Sequence, residues 1–454
     1  VLNDLNQAHE PAEAPLGDRA RLRRMIWLFA FAVAVRIVYF MVMAPYTSDW
    51  DPRPIQRNGF LEIARNVLDG QGMSSKELLT YYSAGHLVPT AARSPLPVLV
   101  FAAALAVLKT HFYYPLLLLA WCCSGVVAVC AYRVAARASG REWIGLWTGV
   151  VFACYLSEMF ITTTYSMASE PLFAACLAVH VLLLIRAGDR PGLGIALAAG
   201  VMLGLTALSR PTVLWLPVVS VAWLLFQARG RGVAFRERGL AMSAVFAVAF
   251  AAVQVPWAVR NYRVFGDPIV TTTLGGFNLY RHNGMIEEGK YHTGYSHPEM
   301  ERRIRGLAEA AGRPLESFNE AELNTLLKAE GARIIKAYPL RYLKLSAMRT
   351  VWIWYNENSG RGLYAVQNFL IYLLALGGLF YALRSREPVY FLLLAHIAYF
   401  VAFHSAINVQ YRFICPIMPY MILLAGLPVY AVWQRRERRL HHGFAAPAAG
   451  RVRT

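Results

Sequence analysis

Ser94-Pro-Leu-Pro-Val-Leu-Val-Phe-Ala-Ala-Ala-Leu-Ala-Val-Leu108 is the stretch on which the topology of this chain turns. It is apolar but only about 15 residues long, and a helix needs roughly 17 to 25 residues to cross about 30 Å of hydrocarbon. Pro95 and Pro97 suit the first turn of a helix and not its interior. The stretch therefore reads as a re-entrant or interfacial helix. Counted as a crossing, it would invert every segment after it.

Ten longer apolar stretches have the length to span, at about 25 to 45, 113 to 132, 143 to 165, 171 to 187, 192 to 209, 212 to 228, 239 to 259, 364 to 383, 388 to 405 and 414 to 433. The composition agrees. Of 454 residues, 57% are hydrophobic and 16% charged, where a soluble domain averages about 45 to 50% and about 25%. A mean hydropathy of +0.39 excludes disordered and collagen-like chains as well. The expected fold is an all-α polytopic membrane protein of about ten transmembrane helices.

Arginine placement tests this count, because short cytoplasmic loops retain Arg and Lys. With the 94–108 run left uncounted, one side holds Arg19, Arg21, Arg23 and Arg24; Arg133, Arg137 and Arg141; Arg186 and Arg190; Arg229, Arg231, Arg236 and Arg238; Arg384 and Arg386; and Arg435, Arg436, Arg438 and Arg439. The opposing short loops hold only Arg210 and Arg412. Both termini are thus expected in the cytoplasm. The organisation is a cytoplasmic leader (1–24), a bundle (25–259) interrupted by a first outer loop (46–112), a second outer loop (260–363), C-terminal spans (364–433) and a basic tail (434–454). The first span follows an Arg-containing leader and lacks a small-residue cleavage site, so it reads as a retained helix. The net charge of +18 then reflects topology and membrane lipids, and no nucleic-acid partner is expected. All six cysteines fall in apolar runs, which implies neither a disulfide framework nor a metal site.

Function is to be sought in the two outer loops. In the first, Asp49 and Asp51 lie just beyond the opening span, where a carboxylate can act as general base or bind a divalent metal; an ordinary Asp-Trp-Asp-Pro turn is the alternative. Phe60, Ile63, Ala64, Val67 and Leu68 recur at helical spacing, so Gly59 to Leu68 should form an interfacial amphipathic helix ended by Gly70 and Gly72. In the second loop, apolar positions from Leu307 to Tyr338 interleaved with Arg and Glu predict two or three short helices, a small polar cap over the membrane. Within the spans the ionisable groups are Arg36, Glu158, His180, His396 and His404, with Glu170, Arg210 and Arg412 near outer ends. A charge at the bilayer centre costs at least about 2.5 to 3.5 kcal/mol on insertion scales, so each needs a function or a partner. For His180 and His396 a hydrogen-bonded helix contact is the simpler reading.

The order of the outer motifs carries a resemblance. An acidic pair after the first helix is followed by Phe60-x-x-Ile-Ala leading to Leu68-x-Gly-x-Gly, Arg93-x-Pro-Leu-Pro, Ser169-Glu-Pro-Leu-Phe, Ser209-Arg-Pro, Pro256-Trp-x-x-Arg-Asn-Tyr, Gly275-Gly-x-Asn-Leu-Tyr-x-x-Asn and Tyr411-Arg-x-x-x-Pro-x-x-Pro. Over residues 25 to 433 this resembles the C-type (GT-C) integral-membrane glycosyltransferases, in the branch that includes the protein O-mannosyltransferases and the aminoarabinose transferase acting on lipid A. The resemblance implies a GT-C fold and a sugar donor on a polyprenyl phosphate. It also implies transfer on the outer face to a lipid A or envelope-glycan acceptor or to a protein hydroxyl. By the same resemblance Arg93 is a donor-phosphate ligand, joined by Arg260 or Arg412, with Arg210 at the same mouth. Asn261, Asn278, Tyr280, Asn283 and Tyr411 are expected near the substrate.

One departure matters. Many relatives place the key aspartate about four positions before the aromatic of the interfacial helix, where this chain has Gln56 before Phe60. The acidic pair stands further upstream, so Asp49 or Asp51 is expected as base, with Glu170 and Glu62 as fall-back carboxylates. Hard oxygen ligands beside a phosphate would suit Mg or Mn at Asp49/Asp51, although no His-rich or Cys set marks a dedicated site. A transporter or lipid flippase is the rival reading. It would show paired repeats with broken helices, and no internal repeat is evident. Arg outnumbers Lys 39 to 6, as in a GC-rich bacterial genome, so a bacterial inner membrane with a periplasmic active site is the expected location.

Overall fold

The computed structural model describes residues 17–43, 59–79, 82–164, 169–229, 233–354 and 362–443. Its elements are helices α1 (Asp18–Met43) and α2 (Phe60–Leu68), strands β1 (Ser74–Leu78) and β2 (Tyr82–Pro89), then α3 (Pro95–Leu108), α4 (Tyr113–Ser139), α5 (Glu142–Ala153), α6 (Leu156–Thr164), α7 (Glu170–Asp189), α8 (Leu193–Ser209), α9 (Leu216–Ala228) and α10 (Val233–Phe265). The cap follows as α11 (Leu274–Asn283), α12 (His297–Ala310), α13 (Glu320–Ala337) and α14 (Pro339–Trp352). The chain returns through α15 (Leu363–Ser385), α16 (Pro388–Ile407), a 3-10 segment Tyr411–Ile417 and α17 (Met418–Gly443).

All ten expected spans are helical, but they are not ten equal crossings. Among the described residues seven helices are long and apolar enough to cross: α1, α4, α7, α10, α15, α16 and Arg412–Trp433. The pair α5–α6, bent by 47°, makes an eighth. The remaining two, α8 and α9, are shorter, with 17 and 13 residues. Pro191-Gly192 delays the start of α8, and Arg210-Pro211 ends it in a 3-10 turn before α9 begins. The all-α expectation holds, with one small addition. Ser74–Leu78 and Tyr82–Pro89 pair antiparallel, Ser75 with Val88 and Leu78 with Tyr82, with a bulge between Ser75 and Glu77. The corner residue Leu79 adopts a left-handed φ of 53°, which costs a leucine roughly 1 to 2 kcal/mol; its full burial in the cap core beside Phe277, Met285 and Leu327 offsets this by roughly 1.5 to 3 kcal/mol.

Small residues let the helices close up where lipid supplies no hydrophobic drive between them. A Cβ on Gly200 would strike the Phe246 carbonyl of α10, and one on Gly204 would meet Val253 at 2.7 Å. The break between α5 and α6 is closed from within. Gln367 of α15 accepts from Leu156 N at 2.8 Å and donates to Cys154 O at 3.0 Å, and Arg36 donates to Ala153 O at 3.1 Å. Arg36 also pairs with Glu158, which accepts from Ser124. Arg36 is therefore a staple within the bundle and does not snorkel. His180 makes the expected helix contact, bonded to Ala199 O and to Ser220.

The two ends of the bundle differ. At one, the arginines counted above pair with the few acids present, Arg21 with Glu142 and Arg137 with Asp189 and Glu387. The other, here termed the cap end, carries the hairpin and α11–α14. Here one carboxylate joins the two loops. Glu320, buried at the start of α13, accepts from Leu79 N (3.0 Å), Thr90 Oγ1 (2.8 Å), Ala91 N (2.8 Å) and Thr273 Oγ1 (2.9 Å). Burial pushes its carboxyl above the usual range, and these donors pull against that rise.

Glu320→Ala leaves at least two buried backbone N–H groups without an acceptor, each costing about 1 to 3 kcal/mol. Amide exchange at Leu79 and Ala91 is expected to speed up at least about 30-fold, whereas unchanged protection would show that the hairpin stands without the clamp. A second test concerns His282 of α11, whose imidazole burial lowers to about 3. A histidine held neutral in the fold and protonated in the unfolded chain withdraws stability as pH falls below its unfolded value near 6.5. Between pH 8 and pH 5 the cap should lose about 2 kcal/mol, read from protection factors in α11, and His282→Gln should flatten that slope.

Candidate functional site

The two arginines that topology left unexplained meet a single acid. Glu170, the first residue of α7, is buried. Its Oε1 takes Arg210 Nη1 at 2.7 Å and Arg412 Nη1 at 3.3 Å. Each residue comes from a different helix end: the start of α7, the end of α8 and the 3-10 segment before α17. Pro171 and Pro211 set these boundaries, since proline fits a first turn and lacks the N–H that a longer helix would need. The Arg210 guanidinium lies 5.3 Å from the Phe413 ring centre and 5.9 Å from that of Phe173. Phe413 in turn stacks on His404 at 4.2 Å. Arg412 Nε donates to Gln410 at 2.9 Å. The side chains of Arg210 and Arg412 remain 17% and 27% exposed, against 0% for Arg36, so this ion cluster is partly open and Arg36 is sealed.

Next to Glu170 is a small apolar depression of about 30 Å³, lined by Pro97, Phe101, Leu116, Leu119, Pro171 and Leu172. Pro171 adjoins Glu170, and Pro97 lies one turn into α3, just beyond Arg93. Arg93 stands over Phe60 at 5.4 Å, and its charge acts on Glu77 of the hairpin, whose carboxyl burial raises despite that pull. Pro95 and Pro97 remove two N–H donors from the first turn of α3.

Other expected site residues are engaged in framework bonds. Arg260 donates to Thr90 O (3.0 Å) and Met73 O (2.7 Å), anchoring the hairpin base, and to Asn261 Oδ1 (2.9 Å). Asn261 donates to Ile269 O at 2.7 Å. Asn283 accepts from the buried Arg349 at 2.9 Å, and Tyr280 packs against Tyr295 in the cap core, with burial raising its hydroxyl. Asn278 is half-buried on α11. Glu62 accepts from Lys76 N at 3.0 Å and ties α2 to the hairpin. Asp49 and Asp51 lie outside the described residues, as does the side chain of Tyr411. Among the described residues no group of three or more His, Cys, Asp or Glu gathers to hold a metal. The Phe413–His404 stack against Arg210 was not foreseen; the only signal for it in the sequence was a histidine one turn from the end of a span.

No protein-family model and no curated protein matches this sequence. Among solved structures, the chain is similar to the archaeal oligosaccharyltransferase AglB from Archaeoglobus fulgidus, determined in complex with an inhibitory peptide and a dolichol-phosphate. The TM-score is 0.54 at 13% identity, covering 95% of this chain and 52% of that one. The chain therefore spans about half the length of that neighbour. At this identity the likeness is one of fold: the protein is a polytopic helical membrane protein with the fold of a membrane oligosaccharyltransferase.

Proposed function

We propose that this protein is a membrane glycosyltransferase that moves a sugar from a polyprenyl-phosphate donor to a lipid, envelope-glycan or protein acceptor. The reaction takes place at the cap end, which we assign to the outer face of a bacterial inner membrane with both termini cytoplasmic. The observation that carries this reading is the Arg210–Arg412 pair gathered on Glu170 at three helix ends, next to the apolar surface of Pro97, Phe101, Leu116, Pro171 and Leu172. A lipid tail needs such a surface, and a phosphate leaving group needs cations beside it. The shared fold with an oligosaccharyltransferase solved with a dolichol-phosphate supports it.

In the proposed reaction the acceptor oxygen attacks the anomeric carbon and the C–O bond to phosphate breaks. The electron pair leaves on the phosphate, where guanidinium donors offset its charge. The acceptor proton passes to a carboxylate, for which Asp49 and Asp51 remain the sequence's candidates; their segment leaves α1 at Met43 and rejoins at Phe60, beneath Arg93. Glu170 suits a different task. Its Oε1 already accepts from two guanidiniums, so it aims the arginines and is a poor proton acceptor. Glu62 is tied to the hairpin backbone. Arg260 is likewise assigned to holding the hairpin, leaving Arg93, Arg210 and Arg412 as the donor ligands. If a divalent metal takes part, Asp49 and Asp51 are the residues that would hold it. A flippase would draw on the broken helix α5–α6, but Gln367 and Arg36 occupy that break.

Purified protein incubated with a polyprenyl-phosphate sugar and an envelope-lipid acceptor is expected to release polyprenyl phosphate. Arg412→Gln and Arg210→Gln should each lower that rate by at least about 100-fold, the usual effect of removing one charge-stabilising donor. Glu170→Gln should cost about 10-fold, mainly through donor KM, while the Asp49→Asn, Asp51→Asn pair should abolish turnover. Lipid movement across the bilayer without sugar release would overturn the enzyme reading, and a Glu170→Gln defect as deep as that of the aspartate pair would make Glu170 the base.

A further inference from the structure

Between Glu330 and Glu357 the chain carries five basic residues, Arg333, Lys336, Arg341, Lys344 and Arg349, and no carboxylate. Helix α14 lies within this stretch and is amphipathic in an unusual sense. Its inner face is fixed: Leu345 and Arg349 are buried, Tyr342 donates to Ala406 O at 3.1 Å, and Thr350 bonds Ser405 Oγ at 3.0 Å. These contacts lay α14 across the last turn of α16, at the level where the membrane helices end. Its outer face carries Leu340, Leu343 and Val351, exposed by 79%, 61% and 66%, with Ala347 between them. They recur at intervals of three and four residues and so form one apolar stripe along the helix. Nothing among the described residues covers it. Lys344 borders the stripe, Arg341 lies just beyond, and Lys336 is exposed one turn before α14 begins. Arg341 is braced by donating to the carbonyls of Ile286 and Glu287, each at 3.0 Å.

An apolar stripe edged by cations, on a helix lying across the end of a transmembrane span, is the pattern of a helix that rests in a headgroup layer. We propose that α14 docks on anionic phospholipid at the cap-end surface of the membrane. Leu340, Leu343 and Val351 enter the acyl boundary, and Lys336, Arg341 and Lys344 meet lipid phosphates. A water-exposed stripe of this kind would be an aggregation hazard, and its place beside the last turn of α16 puts it at the membrane surface. The lipid surface supplies both apolar depth and negative charge. Since α14 also holds α11 through the Arg349–Asn283 bond at 2.9 Å, the docked helix would set the height of the cap above the bilayer. The inference is independent of the sugar-transfer reading.

The test uses the full chain in nanodiscs, with a nitroxide on Leu343→Cys and, as a water-facing control, on Arg305→Cys. Signal from the unsubstituted chain, which has its own cysteines, is subtracted. In phosphatidylcholine discs containing about a third phosphatidylglycerol, the Leu343 label is expected to show an oxygen-to-nickel accessibility ratio at least about 3-fold above that at Arg305. Lys336→Glu with Lys344→Glu should lower that ratio in the anionic discs and leave it unchanged in pure phosphatidylcholine. A Leu343 label as nickel-accessible as Arg305 would overturn docking. A ratio indifferent to the charge reversal in anionic discs would overturn recognition of anionic headgroups.

Discussion

Hydrocarbon offers no hydrogen bonds, so every polar group carried into the membrane must find its partner inside the protein. That constraint explains most of what is polar in this bundle. The break at Cys154–Tyr155 survives because Gln367 bridges its two sides and Arg36 takes up the carbonyl that the first half-helix leaves open. Arg36 is itself tolerated because Glu158 faces it. His180 is held between Ala199 and Ser220. Glu170 with Arg210 and Arg412 obeys the same rule at three helix ends, and there the guanidiniums keep part of their surface open. Two ion clusters of similar composition thus differ in access. The sealed one holds the bundle together, and the partly open one is suited to an anion.

Above the bundle, two groups hold the outer loops to one another. The first outer loop is held at two points, by Arg260 on the carbonyls of Met73 and Thr90 and by Glu320 on the amides of Leu79 and Ala91. Because Thr90 and Ala91 are fixed this way, Arg93 two residues on is fixed as well, at the mouth of α3 and over Phe60. Arg93 therefore depends for its position on two residues bonded to the backbone of the first outer loop. Glu320 and Arg260 act through position, as the load of hydrogen bonds on each indicates.

Much of the helical architecture was legible in the sequence because bilayer thickness fixes helix length. The 94–108 run did form a short helix opening on Pro95, and the three residues Glu170, Arg210 and Arg412 were singled out by their place at outer helix ends before anything showed that they touch. What the sequence hid has physical reasons as well. The hairpin is short and its corner leucine turns inward, so alternation along Ser74–Pro89 gives no clean period of two. Nor does spacing reveal that Arg260 faces backbone while Arg412 faces a carboxylate, since both read as cations at helix ends. The roles of Asp49 and Asp51 rest on sequence alone.

The central claim is that the Arg210–Arg412 pair, aimed by Glu170, is where a lipid phosphate sits. It is tested most directly by determining the structure of the full chain with polyprenyl phosphate bound in a lipid nanodisc. The account predicts phosphate oxygens within hydrogen-bond distance of Arg412 or Arg210, with the first isoprene units between Phe101 and Leu172 in the apolar depression beside α3. A phosphate seated at the opposite end of the bundle, or this depression left empty while the lipid binds elsewhere, would contradict it.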